Sequence, residues 1–159
     1  MNFSIRKGKV NDCPAILGLI KELAEFEKDI EAVEVTIEDL ERDGFGTNPL
    51  FNVLVAENKN EIVGMAFYYY RYSTWKGKTI HLEDLIVKNE MRGKSIGGSL
   101  YNALLKEAYE EQIKRVEWVV LDWNTPARNF YLNTGAKILN GWETVQMDEK
   151  GLKNYISRN

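Results

Sequence analysis

The sequence contains one cysteine and one histidine, and both shortages exclude classes of protein. Cys13 has no second cysteine with which to form an internal disulfide, and it stands at the start of a predicted helix, where we interpret it as inert. His81 cannot form a recognised zinc motif with Cys13. Disulfide-stabilised folds and the common zinc proteins are therefore excluded, and we expect no metal.

Long apolar runs are also missing. No run approaches the ~20 residues that a membrane-spanning helix needs, and the N-terminal MNFSIRKGK has no apolar signal core. A hydrophobic content of 44% and a charged content of 28% are typical of soluble globular proteins. We therefore expect a single domain over residues 1–159, located in the cytoplasm, with a substantial core and no membrane partner.

Positive charge is scarce early in the chain. Residues 22–43 contain ten acidic and two basic residues, a net charge of −8, so the remainder carries +5 within a total of −3. The total argues against nucleic acid as a partner. Two interpretations of the acidic run stay open: a solvated helix face, or a field that attracts a cationic substrate.

Ile80 to Tyr101 is the stretch most informative about function. It starts with the β-forming apolar residues of a strand and ends with the apolar spacing of a helix. The glycine-rich turn between them, with Arg92 and Lys94, suits an anion such as a phosphate, because helix-start N–H groups lack intrahelical acceptors. It matches neither the P-loop nor the dinucleotide fingerprint. The alternative is a tight strand-to-helix turn without a ligand.

The remaining pattern predicts a mixed α/β fold. Asp12 is predicted to cap the first helix, and Thr36 with Asp39 to form a capping box on a short second helix ending before Gly44. In chain order we predict strand 3–6, the two helices, a hairpin of strands 51–56 and 62–72, strand 80–87, helix 96–108, strand 116–121, a short helix from Asn124 to Gly135, a hairpin of 137–139 and 143–147, and a frayed tail at 152–156.

The turn RGKSIGGSL resembles the acyl-CoA-binding signature of the GNAT acetyltransferases, with Arg92 and Gly97 in matching places. Ser95 stands where the family has its first glycine, and we expect a slightly shifted backbone there. Further segments resemble the diamine acetyltransferase branch, whose members acetylate spermidine, spermine or thialysine. These segments are LIKELAEFE, DGFGTNP, STWKGKTIHLED, LDWN, NFYLNTGA and a late GW.

The resemblance implies the GNAT fold, a mixed sheet in which the pantetheine arm of acetyl-CoA enters a splayed gap. That gap lies between the strand of Leu85–Val87 and the strand of Val116–Leu121. A basic residue of some relatives is replaced by Thr134, which cannot pair with a phosphate by charge. The implied acetyl-CoA contacts are Leu85, Ile86, Val87, Arg92, Gly93, Lys94, Ser95, Ile96, Gly97, Gly98, Asn124 and Thr134.

Acetyl transfer to an amine requires an unprotonated amine, and an alkyl ammonium has a pKa of about 10. Glu83 and Asp84 are carboxylates that could hold the ammonium and take its proton, through water. Consecutive strand residues point to opposite faces, so we expect one of them at most to touch the substrate. By resemblance we favour Glu83 for the contact with the amine.

The resemblance also places a tyrosine beside the CoA sulfur, and Tyr131 in NFY matches it. A phenol is protonated at neutral pH and can donate to a departing thiolate, so Tyr131 is the predicted general acid. The alternative is packing against the sheet. The sequence has no Cys–His pair or Ser–His–Asp set suited to an acyl-enzyme, so direct attack by the amine is expected.

The family's substrate contacts correspond to Phe26 and Glu27, with Phe26 in place of a frequent tyrosine, and to Glu117 and Trp118. The resemblance further implies a homodimer. We therefore predict an acetyl-CoA-dependent N-acetyltransferase for a small cationic amine, a polyamine, diamine or thialysine-like amino acid. The alternatives are a protein lysine or N-terminal acetyltransferase, and a non-catalytic acyl-CoA-binding or protein-interaction module.

Overall fold

The computed structural model describes residues 2–158. The chain divides into two compact units, of which the first ends at Val119 and the second begins at Val120. Of the helices within residues 2–158, none combines the length and the apolar character needed to cross a bilayer.

The first unit is built on a five-stranded mixed sheet, which confirms the predicted fold class. Its strands follow the chain order, with three antiparallel junctions and a parallel junction between the last two. The strands are β1 (Ser4–Lys7), β2 (Asn52–Asn58), β3 (Glu61–Ser73), β4 (Gly77–Val87) and β5 (Val116–Glu117). Lys59 and Asn60, at φ 52° and 65°, form the predicted β2–β3 turn.

Three helices cover this sheet: α1 (Cys13–Glu27), α2 (Ile37–Phe45) and α3 (Ile96–Glu110). The capping box predicted for α2 is confirmed, because the Asp39 N–H donates to Thr36 Oγ1 (3.1 Å) and the Thr36 N–H donates to Asp39 Oδ2 (3.1 Å). The helix continues through Gly44 to Phe45, whereas the prediction ended it before Gly44.

The core lies on both faces of the sheet. Ile16 and Leu19 of α1 pack with Met65 and Ile86 on one face, and α3 supplies further fully buried side chains. Each such side chain contributes roughly 1.5–3 kcal/mol relative to exposure. Leu40, Val53, Val55, Leu100 and Leu104 are also buried.

Asp12 does not cap α1 as predicted. It occupies the N-cap position without a side-chain cap bond. Its carboxylate instead accepts from Arg6 Nη1 at 2.7 Å and from the Lys9 N–H at 2.8 Å. The charged Arg6 is a stronger partner than a neutral helix amide, and it holds the pKa of Asp12 below its usual value.

The predicted strand 116–121 is shorter in the structure, because β5 ends at Glu117. Its pairing with β4 stops at His81, just before a bulge in β4 at Glu83. A bulge disrupts the ladder and increases the local twist, so a neighbouring strand cannot follow it far.

The second unit contains α4 (Thr125–Asn133) and α5 (Glu149–Ile156). As predicted, Asn124 caps α4, accepting from the Ala127 N–H at 3.3 Å, and Gly135 (φ 92°) follows its end. The predicted last hairpin is wrong, since residues 136–148 form no strand. An isolated two-stranded hairpin is at best marginally stable in water.

The prediction of a frayed tail at 152–156 is also wrong, because α5 spans these residues. Asp148 caps this helix by accepting from the Gly151 N–H at 2.7 Å. Glu149 and Lys153 form an ion pair one turn apart. The sequence DEKG carried this capping signal.

Two tyrosines of β3 fasten α3 to the sheet. The Tyr68 hydroxyl donates to Glu107 Oε1 (2.5 Å), which also pairs with Lys7 Nζ (2.6 Å). Two residues on, the Tyr70 hydroxyl donates to Glu111 Oε1 at 2.6 Å. Tyr68 is fully buried, whereas Tyr70 is 38% exposed. Burial is the first cause that raises the pKa of both tyrosines, and the glutamate bond is the second.

We expect Tyr68→Phe to lower the free energy of unfolding by about 1.5–3 kcal/mol, because it removes a buried hydrogen bond to a charged acceptor. Tyr70→Phe is the matched control and should cost less than about 1 kcal/mol, since water can replace its exposed hydroxyl. Urea denaturation measures both. Equal losses in the two variants would contradict burial as the cause of the difference.

Candidate functional site

The sheet of the first unit is open along one side of β4. Pairing between β4 and β5 is limited to Ile80 with Val116 and His81 with Glu117. Within the part of the chain that the structure describes, the segment Leu82–Val87 has no strand partner on this side. The strands therefore part where the splayed gap was predicted.

The backbone groups that face this opening follow from the ladder. Lys88 donates to Val63 O at 2.9 Å, so Lys88 is directed toward β3. Antiparallel pairing alternates, which directs Ile86 toward β3 and Leu85 and Val87 toward the opening. Of the predicted segment, Leu85 and Val87 can thus offer an N–H to a ligand there.

The turn that follows β4 adopts the conformation of a glycine-rich loop. Gly93 lies at φ 72° and Ser95 at φ 62°, immediately before α3 begins at Ile96. The expectation of a shifted backbone at Ser95 is wrong, because the serine takes the left-handed conformation that a glycine would take. This costs about 1–2 kcal/mol for a residue with a Cβ.

The N-terminus of α3 presents free donors toward this turn. The first N–H to bond within the helix is that of Ser99, which donates to Ser95 O at 3.0 Å. By helix geometry the amides of Ile96, Gly97 and Gly98 precede it and have no intrahelical acceptor. An anion is favoured at such an end by these donors and by the helix dipole.

Arg92 and Lys94 stand beside these amides. Arg92 Nε donates to Val87 O at 3.1 Å, and its guanidinium carbon lies 5.4 Å from the ring centroid of Phe26. Lys94 Nζ donates to Glu90 O at 2.8 Å. Both cations are therefore held at the turn by backbone carbonyls and add positive charge to it.

A bulge places both predicted acids on one face of the sheet. Phe67 is opposite Asp84 and Tyr68 is opposite Leu82, so Glu83 is an extra residue without a partner on β3. Such a residue interrupts the alternation of side chains. Asp84 shares the face of Phe67, which packs with α1, and Glu83 Oε2 lies 3.4 Å from His81 Nε2 on that face. The prediction of opposite faces is therefore wrong.

Asp84 has an unusual charge state. Burial, and then the negative charges of Glu83 and Glu27, raise its pKa from 3.8 to about 7. Glu27, at the end of α1, has a pKa that is raised by burial and by Asp29. Three carboxyl groups from two elements thus influence one another, and removing water from Asp84 is the largest effect. A carboxyl with a pKa near 7 can change its protonation state at neutral pH.

Glu117 ends β5, and Trp118, which follows it outside the strand, contacts a different element. Glu117 pairs with Arg71, and its Oε2 lies 2.9 Å from Arg115 Nε. The Trp118 ring packs edge-on against Tyr101 of α3, with centroids 5.6 Å apart. The charge of Glu117 is therefore already compensated, and the substrate contacts predicted for both residues stay predictions.

Three residues at this face were missed by the sequence reasoning: Tyr69, Arg71 and His81. Tyr69 is opposite His81 in the β3–β4 register, and their rings lie 5.2 Å apart. The available signal was the spacing of two residues that puts Tyr69 with Arg71, and His81 with Glu83, on one face of adjacent strands. Without the register, that spacing alone did not connect the two strands.

In the second unit, Tyr131 is half-buried on α4, and its ring lies 5.3 Å from that of Phe130. Thr134 Oγ1 donates to Tyr131 O at 2.7 Å, and Asn124 caps the helix. The sequence prediction gave Asn124 and Thr134 cofactor contacts. In the structure both side chains bond to the backbone at the ends of α4.

Residues 16–136 match the model of the acetyltransferase (GNAT) family. The chain belongs to the GNAT family. It is 38% identical to a thialysine N-epsilon-acetyltransferase of Bos taurus, over 97% of both chains. It is 39% identical to a human spermidine/spermine N(1)-acetyltransferase-like protein 1, over 94% of this chain and 23% of that protein.

Solved structures show the same fold. An integron cassette protein from the mobile metagenome of V. cholerae superposes with a TM-score of 0.80 at 24% identity, covering 100% of this chain and 99% of the other. An aminoglycoside acetyltransferase from a soil metagenome gives a TM-score of 0.71 at 22% identity, covering 91% and 97%. The predicted family and fold are thus confirmed, and the chain is an acetyltransferase rather than a binding module.

The GNAT family takes its acetyl group from acetyl-CoA, whose diphosphate is an anion of the kind that the turn before α3 suits. The left-handed Gly93 and Ser95 turn the chain so that the α3 amides face outward. A Cβ on Gly97 would lie 3.6 Å from Val87 Cγ2, so the helix start packs closely on the end of β4. The residues present therefore fit this group.

Asp84→Asn should stabilise the protein at pH 8 by up to about 4 kcal/mol, the equivalent of three pH units of pKa shift. Because the pKa of Asp84 is higher in the folded state than in the unfolded state, protonation of Asp84 favours folding. This stabilisation is complete below the pKa that Asp84 has in the unfolded state. That stabilisation is lost as the pH rises through about 7. The variant should lose this pH dependence, as measured by urea denaturation from pH 4 to pH 8.

Glu38→Gln, which removes an exposed charge from α2, is the control and should retain the wild-type dependence. A similar loss of stability between pH 4 and pH 8 in wild type and Asp84→Asn would contradict the assignment to Asp84.

Proposed function

We propose that this GNAT protein transfers the acetyl group of acetyl-CoA to the amine of a small cationic substrate: a polyamine, a diamine or a thialysine-like amino acid. The observation that carries the proposal is the group of Glu27, Glu83 and Asp84 beside the opening of β4. Burial, and then the charges of Glu83 and Glu27, raise the pKa of Asp84, and a cation entering there would offset the charge repulsion. The names of the thialysine and spermidine/spermine relatives support the same substrate class.

Acetyl-CoA, when bound, supplies the acetyl group as a thioester. The amides of Ile96, Gly97 and Gly98 would hold its phosphates, with Arg92 and Lys94 adding charge. The N–H of Leu85 or Val87 would donate to the thioester carbonyl oxygen, because these two residues direct their backbone toward the opening. A hydrogen bond at that oxygen stabilises the charge that develops on it.

Proton removal from the ammonium is assigned to the acidic pair. An alkyl ammonium has a pKa of about 10, so it must lose a proton before it can attack. The sequence prediction chose Glu83. Asp84 is a second candidate, because its pKa is raised to about 7 and it therefore changes its protonation state near neutral pH. We assign ammonium orientation to Glu83 and proton acceptance to Asp84, directly or through water.

Tyr131 is the proposed general acid, protonating the departing thiolate through its phenol hydroxyl. Direct attack by the amine is favoured over an acyl-enzyme, because the thiol of Cys13 is fully buried. Burial raises the pKa of this thiol, with Glu41 and Asp12 adding to the effect. A buried thiol with a raised pKa is a poor nucleophile.

The other parts of the proposal concern the whole chain. The family match extends across the boundary between the two units, which supports one GNAT domain over residues 1–159. The cytoplasmic location expected from the sequence remains a prediction.

We also propose a homodimer, because Leu139, Trp142 and Val145 of the second unit are 73%, 80% and 94% exposed. Apolar surface of this kind marks an interaction site.

Thiol release from acetyl-CoA should saturate with one of spermidine, spermine, putrescine, lysine or thialysine. A lysine peptide, included in the same assay, should react poorly. Tyr131→Phe should lower kcat by about 10²–10⁴, the range of general acid catalysis, while the Kd for acetyl-CoA in calorimetry stays unchanged. Preference for the peptide would favour a protein acetyltransferase, and an undiminished kcat in Tyr131→Phe would remove the phenol from the mechanism.

Light scattering should give the mass of two chains at micromolar concentration. Val145→Lys should shift the protein toward one chain, because a charge placed in an apolar interface opposes association. Tyr109→Lys, at a residue of α3 that is 84% exposed, is the control and should leave the mass unchanged. A wild-type mass of one chain would contradict the dimer.

A further inference from the structure

The only histidine of the chain, His81, lies beside the proposed amine site. An arginine and a carboxylate contact its two ring nitrogens. Arg71 Nη1 of β3 is 3.1 Å from His81 Nδ1, and Glu83 Oε2 is 3.4 Å from His81 Nε2. The His81 side chain is 13% exposed, whereas that of Glu83 is 50% exposed. The imidazole therefore connects a fixed cation to a carboxylate that faces solvent.

These contacts determine the tautomer. A guanidinium can only donate, so His81 Nδ1 must accept from Arg71 and carry no proton. The proton of the neutral ring then resides on Nε2, where it faces Glu83. Burial lowers the pKa of His81, Arg71 lowers it further, and the carboxylates Glu83 and Glu117 oppose this effect.

The groups around His81 fix its ring from three strands. Tyr69 of β3 packs over the ring at 5.2 Å, with 34° between the planes. Glu117 of β5 is opposite His81 and pairs with Arg71, so the donor to Nδ1 is itself held in place. Burial raises the pKa of Tyr69, and the charge of Glu83 and a hydrogen bond to it raise it further. Tyr69 and the neutral His81 thus both lie beside the Glu83 carboxylate.

We propose that His81 is a positioning residue for the amine acceptor, held by Arg71 as the neutral Nε2–H tautomer and directing the Glu83 carboxylate toward the substrate ammonium. The proposal rests on the proposed function, and it deepens the assignment of Glu83. An exposed glutamate has many rotamers, and a donor at its carboxylate reduces the entropy lost when a ligand is bound. Neutrality matters because an imidazolium would compete with the ammonium for the same carboxylate.

The first test is the tautomer, which needs no substrate. In a ¹⁵N-labelled protein the two imidazole nitrogens belong to one residue and need no assignment by mutation. At pH 7.5 (a pH about one unit above the ordinary histidine pKa) we expect Nδ1 to be unprotonated and Nε2 to carry the proton. An Nδ1–H tautomer, or the tautomer mixture of a free histidine, would overturn the proposal.

The second test compares two variants under steady-state conditions. His81→Gln keeps an oxygen that can accept from Arg71 and an amide that can donate to Glu83, whereas His81→Phe keeps the ring without either. We expect His81→Phe to lower kcat/KM for the amine at least tenfold, with an unchanged KM for acetyl-CoA. His81→Gln should recover most of this loss.

Equal losses in the two variants, or a parallel rise in the KM for acetyl-CoA, would indicate a structural role and overturn the inference. Failure of the wild type to acetylate any amine is a different result, since it would refute the proposed function whatever the tautomer. Circular dichroism of both variants shows whether either has lost its fold, and the tautomer of the wild type still decides the inference in that case.

Discussion

The interruption of β4 at Glu83 is the constraint on which the proposed site depends. One extra residue ends the regular ladder, puts Glu83 and Asp84 on the same face, and coincides with the point where β5 stops pairing. A regular strand would have sent one acid to the other face and would have allowed β5 to cover the backbone of Leu85 and Val87. The two acids thus share a face because of the bulge, and the open edge begins beside it.

Opposite electrostatic environments lie along this strand. At the bulge, carboxyl groups accumulate, and the pKa of Asp84 rises chiefly because Asp84 is buried and then because Glu83 and Glu27 repel its charge. Beyond its end, the amides of α3 with Arg92 and Lys94 form a positive environment. The proposed cationic acceptor and polyanionic donor would therefore be attracted to separate places.

Much of this could be predicted from the sequence, since the glycine turn, the α2 capping box, the β2–β3 hairpin and the family follow from local patterns. Register could not be predicted, and the errors at Glu83 and Asp84 and in the length of β5 come from a bulge that only strand pairing reveals. The capping role predicted for Asp12 was wrong because Arg6 is a stronger hydrogen-bond partner for its carboxylate than the helix amides are. The roles of Tyr69, Arg71 and His81 depend on contacts across strands.

The tyrosine bonds described for α3 have a consequence at its opposite end. Tyr68 and Tyr70 hold Glu107 and Glu111, near the C-terminus of the helix, and a packed helix moves as a stiff rod. Its N-terminal amides are thereby oriented before any phosphate arrives. Binding then requires little ordering of the protein, and this preorganisation resides in two hydroxyl groups about three to four helical turns from the ligand.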